Sequence, residues 1–284
     1  MDTVPVTDSI PADVGNTALG VAMVRAQESQ REDRLFDDPY AQGFVDAAPT
    51  AFDVEQRAAA ADIGDLASWG AAFWAHAVIR TRFFDDYLLG ATAEGIHQVV
   101  LLAAGLDTRA FRLPWPAAVR LYELDLPAVL DFKERILTDR AAVPRCRRRC
   151  IAIDLREDFT GLLTRAGLCA DEPTAWLVEG LLIYLTADEA AMLLTRVGDL
   201  SAAGSVVALE VDTLGTDPLR AKAERSPEMA PYTKLWKGGL SDVTGWLTEH
   251  GWQPVVHDGA TVSSGYGRPD TTGSASDFLT ATRT

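Results

Sequence analysis

The 284-residue sequence predicts an α/β fold. The expectation is a mostly parallel seven-stranded sheet with an antiparallel C-terminal strand and an N-terminal helical cap. Three observations carry it. The first ninety or so residues show helical spacing of apolar positions and no strand signal. From His97 to Val211, short apolar runs alternate with amphipathic stretches, as parallel strands joined by crossover helices do. Two late strand signals then follow each other with no predicted helix between them, which suggests antiparallel pairing.

Taken in order, residues 1–15 read as a flexible arm with Pro5, Pro11 and Gly15. Thr17–Ser29 sets Leu19, Ala22, Met23 and Ala26 on one helical face, with Asn16 as its N-cap. Pro39–Ala48 is a short helix. Leu66–Leu89 is a long one, with Trp74, Ala77, Val78, Phe84 and Leu88 at helical spacing. At His97 the period changes, and Val99–Leu102 reads as a buried strand between Gly95 and Gly105. Further strands are expected at Val119–Leu124, Cys150–Ile153, Ala175–Val178 and Val206–Val211. Helices are expected at Leu126–Thr138, Phe159–Ala166 and Ala187–Leu200. Thr186 and Glu189 open the last as a capping box. The tail reads as a helix over Ser241–His250, then strands at Trp252–His257 and Asp277–Thr282. Two regions result: a cap over 1–90 and a sheet domain over 91–284.

Composition narrows the function. Hydrophobic residues at 48% and charged residues at 24% exclude a disordered chain. Forty-one acids against 26 bases leave a charge of −15, which repels nucleic acid and anionic membranes. Cys146, Cys150 and Cys169 make no disulfide framework and fit a reducing cytoplasm. Residues 1–11 lack the basic and apolar regions of a signal peptide, and the apolar run at Leu181–Leu185 is too short to span a bilayer. The expectation is a soluble cytoplasmic protein whose partner is a small molecule, with oligomeric state left open.

Candidate chemistry sits at strand ends. Ala103–Arg109 follows the first strand, and Gly105 lets backbone approach a ligand. Glu123 and Asp125 end the second strand, Asp154 the third and Glu179 the fourth. An acid about 20 residues past a glycine turn can accept ribose hydroxyls. A pyrophosphate cofactor would want G-x-G-x-x-G, and only one of those glycines is present. Acids without a neighbouring lysine suit a cationic, ribose-bearing cofactor instead, which S-adenosyl-L-methionine is. An NAD-dependent oxidoreductase fits less well. A non-catalytic binding protein remains an alternative.

At these residues the chain resembles the leucine carboxyl methyltransferase family of S-adenosylmethionine-dependent methyltransferases. It looks closest to an actinobacterial branch that includes carboxyl O-methyltransferases of polyketide and other secondary metabolism. The matching blocks are Thr17–Ala26, Phe36–Tyr40, Arg80–Asp85, Leu101–Arg112, Tyr122–Pro127, Asp154-Leu155 and Glu179–Leu185, then Leu235–Gly239 and His250–Trp252. The resemblance implies a Rossmann-like class I methyltransferase fold, with a substrate lid near 212–240. It implies that Arg80 binds the methionine carboxylate, with Arg25 as a basic partner. Ala103 and Gly105 would line the turn beneath the amino-acid end, Asp125 with Glu123 would hold the ribose, and Asp154 and Leu155 would frame the adenine. Glu179 would face the ammonium, and Tyr184 would stand on the substrate side. Ala103 departs from the family's glycine, which matters only if that position needs a positive φ.

Methyl transfer displaces a neutral thioether, so no acid is needed to expel it. A carboxylate acceptor needs no base, whereas a hydroxyl usually does. None of the four histidines falls on a role-bearing position, which favours a carboxyl acceptor, with a hydroxyl as the alternative. Other features read as structural, and no metal site is expected. The three arginines of Cys146–Cys150 read as a solvated edge before the third strand, and Asp85-Asp86 as a solvated helix face. Trp236 and Trp252 are core or lid candidates.

Overall fold

A computed structural model describes residues 14–48, 63–211, 233–269 and 276–284. In chain order the elements begin with α1 (Val14–Ser29), α2 (Ala41–Asp46) and α3 (Ile63–Ala93). The parallel part of the sheet follows as β1 (Gln98–Leu102), α4 (Arg109–Arg112), β2 (Arg120–Asp125), α5 (Pro127–Asp139) and β3 (Arg147–Ala152). It continues with α6 (Thr160–Arg165), β4 (Thr174–Val178), a 3₁₀ turn (Leu182–Tyr184), α7 (Ala187–Asp199) and β5 (Val206–Val211). The last elements are α8 (Val243–Glu249), β6 (Trp252–His257), α9 (Gly259–Gly265) and β7 (Asp277–Arg283).

The seven strands form one sheet in the order β3-β2-β1-β4-β5-β7-β6. Neighbouring pairs from β3 to β5 are parallel, and β7 runs antiparallel to both β5 and β6. Strands β1 and β4 are buried along their whole length because helices cover both faces. On one face Val99, Leu101 and Leu121 share a core with Phe84 and Leu88 of α3 and Leu19 of α1. On the other, Val100, Leu102 and Trp176 meet Leu193 of α7, Leu247 of α8 and Trp252. Strand order reverses between β1 and β4, and a ligand crevice is expected beyond the carboxyl ends there. Among the described helices none is long and apolar enough to cross a membrane.

Several sequence expectations need correction. Asn16 is not an N-cap: α1 starts at Val14 and takes it inside the helix. The antiparallel pairing of the late strands holds, but they are not joined directly. The seven-residue α9 intervenes, and its Gly and Ser content hides the helical signal. Its start is marked by Asp258, which accepts the Thr261 N–H at 2.7 Å. The three arginines do not precede β3 but form its first half. The capping box of α7 is present, with the Glu189 N–H on the Thr186 hydroxyl and the Glu189 carboxylate on the Thr186 N–H. The arm over 1–13 and the lid over 212–232 lie outside the described residues.

Candidate functional site

The turn after β1 is the floor of the site. Gly105 sits there at φ +48°, and its N–H donates to Asp125 Oδ2 at 2.6 Å. The other Asp125 oxygen accepts the Leu126 N–H at 2.7 Å. One carboxylate therefore ties the β1 turn to the end of β2. Burial raises the Asp125 pKa, and these two amides only partly offset it. Ala103 lies at φ +53°, the left-handed region where its Cβ is strained. The departure from glycine thus falls where a positive φ is required.

Arg25 does not point into open space. Its Nε pairs with Asp38 at 2.8 Å and its Nη2 donates to the Leu106 carbonyl at 2.6 Å. Thr108 also donates to Asp38, at 2.7 Å. Burial alone would raise Asp38, but Arg25, Arg112 and the Thr108 hydroxyl hold it below its ordinary value. Arg25 and Asp38 thereby clamp α1 and the loop before α2 to the β1 turn.

Beyond β4 and β5 an alternating line of charges forms. Arg80 Nε lies 2.9 Å from Glu179 Oε1, and Arg80 Nη1 donates to Glu210 Oε1 at 3.0 Å. Glu210 also accepts the Gly180 N–H at 2.6 Å and faces His76 Nε2 at 2.9 Å. Burial would raise Glu210, yet Arg80 and His76 pull it down to about 2. Behind Glu179, Arg109 donates to Glu179 Oε2 and to Asp85 Oδ1, both at 2.7 Å, and it also pairs with Asp107. Asp107 is likewise drawn down to about 2 against its burial, chiefly by Arg109. Asp85 also accepts from Arg112. Asp85 is therefore a buried ion-pair centre, not part of a solvated face.

Tyr184 ends the 3₁₀ turn just past Glu179-Gly180. Burial raises its phenol, opposed by hydrogen bonds with Thr17 and Trp236 and by the charge of Arg80. The segment carrying Trp236 is pinned to this turn. Lys237 N–H donates to Ile183 O at 2.7 Å, Gly239 N–H to Leu185 O at 2.9 Å, and Lys237 Nζ reaches Glu189 at 3.0 Å.

Of the expected residues, Arg80, Ala103, Gly105, Asp125, Glu179 and Tyr184 gather at this end of the sheet. Glu123 does not join them. It is fully buried, and its oxygens are taken by Lys133 at 2.6 Å and Arg148 at 2.8 and 2.9 Å. Its place one alternation before Asp125 puts it under the edge strand, where Arg148 of β3 reaches it. Arg148 is correspondingly buried, so that arginine is not a solvated one. Asp154 stands at the end of β3 and is half-buried. It accepts from the Arg156 backbone at 3.0 Å and from Arg156 Nε at 2.9 Å. Leu155 beside it is buried.

Sequence reading assigned no role to Glu210, His76, Arg109 or Asp38. A signal for Glu210 was present: it is an acid at the end of the fifth strand, like those read at the ends of the second, third and fourth. His76 stands one helical turn before Arg80, on the same face. Among the described residues no group of three or more His, Cys, Asp or Glu is placed to hold a metal ion.

Comparison with known proteins gives four findings. The family described as leucine carboxyl methyltransferase matches residues 18–198. A Frankia alni protein assigned as an S-adenosyl-L-methionine-dependent methyltransferase is 50% identical, over 96% of each chain. A Streptomyces coelicolor protein with the same assignment is 43% identical, over 92% of this chain and 91% of its own. The crystal structure of a DUF574 family protein from Streptomyces avermitilis superposes with a TM-score of 0.61 at 16% identity. It covers 94% of this chain and 96% of its own, a likeness of fold.

Proposed function

The chain belongs to the leucine carboxyl methyltransferase family, and on that premise we propose that it methylates an oxygen of a small organic acceptor. It is an S-adenosyl-L-methionine-dependent methyltransferase. The fold is the Rossmann-like one of such enzymes, with its single antiparallel strand.

The observation that carries the site assignment is the Arg80–Glu179 pair at 2.9 Å, at the carboxyl end of β4. It presents a cation beside an anion, the complement of an amino acid's carboxylate and ammonium. Arg80 would then take the methionine carboxylate and Glu179 the ammonium. Gly105 and Ala103 would lie under that end. Asp125, which has lone pairs beyond its two amide contacts, would take the ribose. Asp154 and Leu155 would frame the adenine once Arg156 turns aside. Arg25, engaged with Asp38 and the Leu106 carbonyl, would support the β1 turn from behind as the basic partner of Arg80.

When bound, the cofactor supplies an electrophilic methyl whose leaving group is a neutral thioether. The chain's task is to align an oxygen with that methyl and keep water out. Tyr184, held by Thr17 and Trp236, would orient the acceptor at this end of the sheet. The family description supports a carboxyl group as the acceptor, and our reading is that this group belongs to a small polyketide-like acid of secondary metabolism. A hydroxyl acceptor is the second reading, and the His76–Glu210 pair at 2.9 Å favours it.

Calorimetry with S-adenosylhomocysteine tests the cofactor assignment. Binding in the micromolar range is expected, and Arg80→Ala should weaken it at least tenfold. An Arg80→Ala variant that stays folded and binds as well as the parent would remove Arg80 from the site.

A further inference from the structure

Glu179 has two carboxylate oxygens, and two arginines compete for them. Arg80 Nε lies 2.9 Å from Oε1, and Arg109 Nη1 donates to Oε2 at 2.7 Å. The two guanidiniums are held differently. Arg80 is shared with Glu210 at the end of β5. Arg109 opens α4 directly after the β1 turn, and each of its three side-chain nitrogens has a protein partner. Nε donates to Asp85 Oδ1 of α3 at 2.7 Å, Nη1 also meets Asp107 of the turn, and Nη2 lies 3.4 Å from the Thr81 carbonyl. The Arg109 backbone is tied down as well. Its N–H donates to Asp107 Oδ1 at 2.6 Å, and its carbonyl accepts from Trp115 Nε1 at 2.7 Å. The Arg109 side chain is 3% exposed, and Glu179 is the most exposed of its three carboxylate partners. Arg109 is thus a fixed post joined to α3, the β1 turn and the end of β4.

A guanidinium and a carboxylate favour two parallel bonds. Left to Arg80 alone, Glu179 would turn both oxygens onto that fork, which already serves Glu210. The fork would then be closed to the carboxylate of an incoming amino acid. By keeping Oε2, Arg109 opposes that collapse and leaves Oε1 on the side of Arg80. The charges along this line argue the same way. Among the described residues, Asp85, Asp107, Glu179 and Glu210 rest on Arg80, Arg109 and Arg112. Without Arg109, four carboxylates would share two guanidiniums, and the draw of Glu179 toward Arg80 would grow.

We propose that Arg109 is a positioning residue for cofactor recognition. It divides Glu179 between two arginines, so that Glu179 offers one oxygen to the methionine ammonium and Arg80 keeps donors for the methionine carboxylate. The inference rests on the cofactor placement proposed above. It adds a residue that acts through Glu179 rather than by touching the cofactor.

Calorimetry with two ligands tests it. S-adenosylhomocysteine carries the amino-acid end, whereas 5′-methylthioadenosine has the same adenine, ribose and thioether without it. Arg109→Lys keeps a cation but loses the planar fork. It should weaken S-adenosylhomocysteine by about tenfold and leave 5′-methylthioadenosine within about twofold of the parent. Arg109→Gln should weaken S-adenosylhomocysteine further, again with 5′-methylthioadenosine near the parent value. An arginine with only a structural role would weaken both ligands alike. That outcome, or unchanged S-adenosylhomocysteine binding in a folded Arg109→Lys, would overturn the proposal. If the variants do not fold, or 5′-methylthioadenosine binds too weakly to compare, a crystal structure of the parent with S-adenosylhomocysteine decides. Glu179 Oε2 should stay on Arg109 while Oε1 meets the ammonium. Glu179 swung off Arg109, or with both oxygens on Arg80, would overturn it. A parent that does not bind S-adenosylhomocysteine would instead remove the cofactor placement itself.

Discussion

Ala103 shows how much one backbone angle decides. At φ +53° its Cβ is held in a region that costs an L-residue about 1–2 kcal/mol relative to the right-handed one. The chain accepts this because the turn must bring Gly105 onto Asp125. Replacing Ala103 with Gly should therefore raise the free energy of unfolding, by about 1 kcal/mol after the extra chain freedom of glycine in the unfolded state is deducted. Urea denaturation measures it, and a loss of stability would mean that the methyl group packs better than its strain costs. Glu123 teaches a different lesson. Its motif position looks equivalent to that of Asp125, but Lys133 and Arg148 reach it from α5 and β3. No spacing rule in the sequence announces those partners, because they are set by the register between two strands.

Among the elements, strands β1, β4, β5 and β6 were readable to within one residue, because continuous apolar runs bounded by glycine or charge have few other solutions. The start of β3 was not, since arginine on an edge strand resembles loop composition. Helix α9 was missed because its N-cap, Asp258, is its only strong local signal. The strap Lys237–Gly239 also became clear only in three dimensions. It lays its amides on the Ile183 and Leu185 carbonyls, and Gly239 does so at φ +61°. A Cβ there would stand 2.8 Å from the Leu182 carbonyl oxygen. Gly239→Ala should therefore lift the strap off the 182–185 turn and loosen Trp236 from Tyr184. The expected outcome is faster hydrogen exchange at Lys237 and Gly239, with a rise in acceptor KM of about tenfold. Unchanged exchange would show that the strap tolerates the methyl group.

For the molecule as a whole, the acid excess divides into two populations. Among the described residues many acids are exposed, but Asp107 and Glu210 are largely shielded beside arginines and held down at about 2. A carboxylate with a lowered folded pKa stabilises the protein above its unfolded value, and that contribution fades as the pH falls toward the folded value. Unfolding free energy should thus drop between about pH 4.5 and pH 2, by up to about 2–3 kcal/mol per group. Asp107→Asn should flatten part of that slope in acid denaturation followed by circular dichroism, and an identical slope would move the effect elsewhere. The same plan has a consequence in time. Strand β7 lies between β5 and β6 in the sheet yet follows both in the chain, and it delivers Phe278 and Leu279 to opposite cores. A nascent chain that has emerged only as far as His257 holds β6 with no neighbour to pair with and β5 with one side bare. The sheet is finished by a late insertion, and until then its half-built edge is the surface that a chaperone would meet.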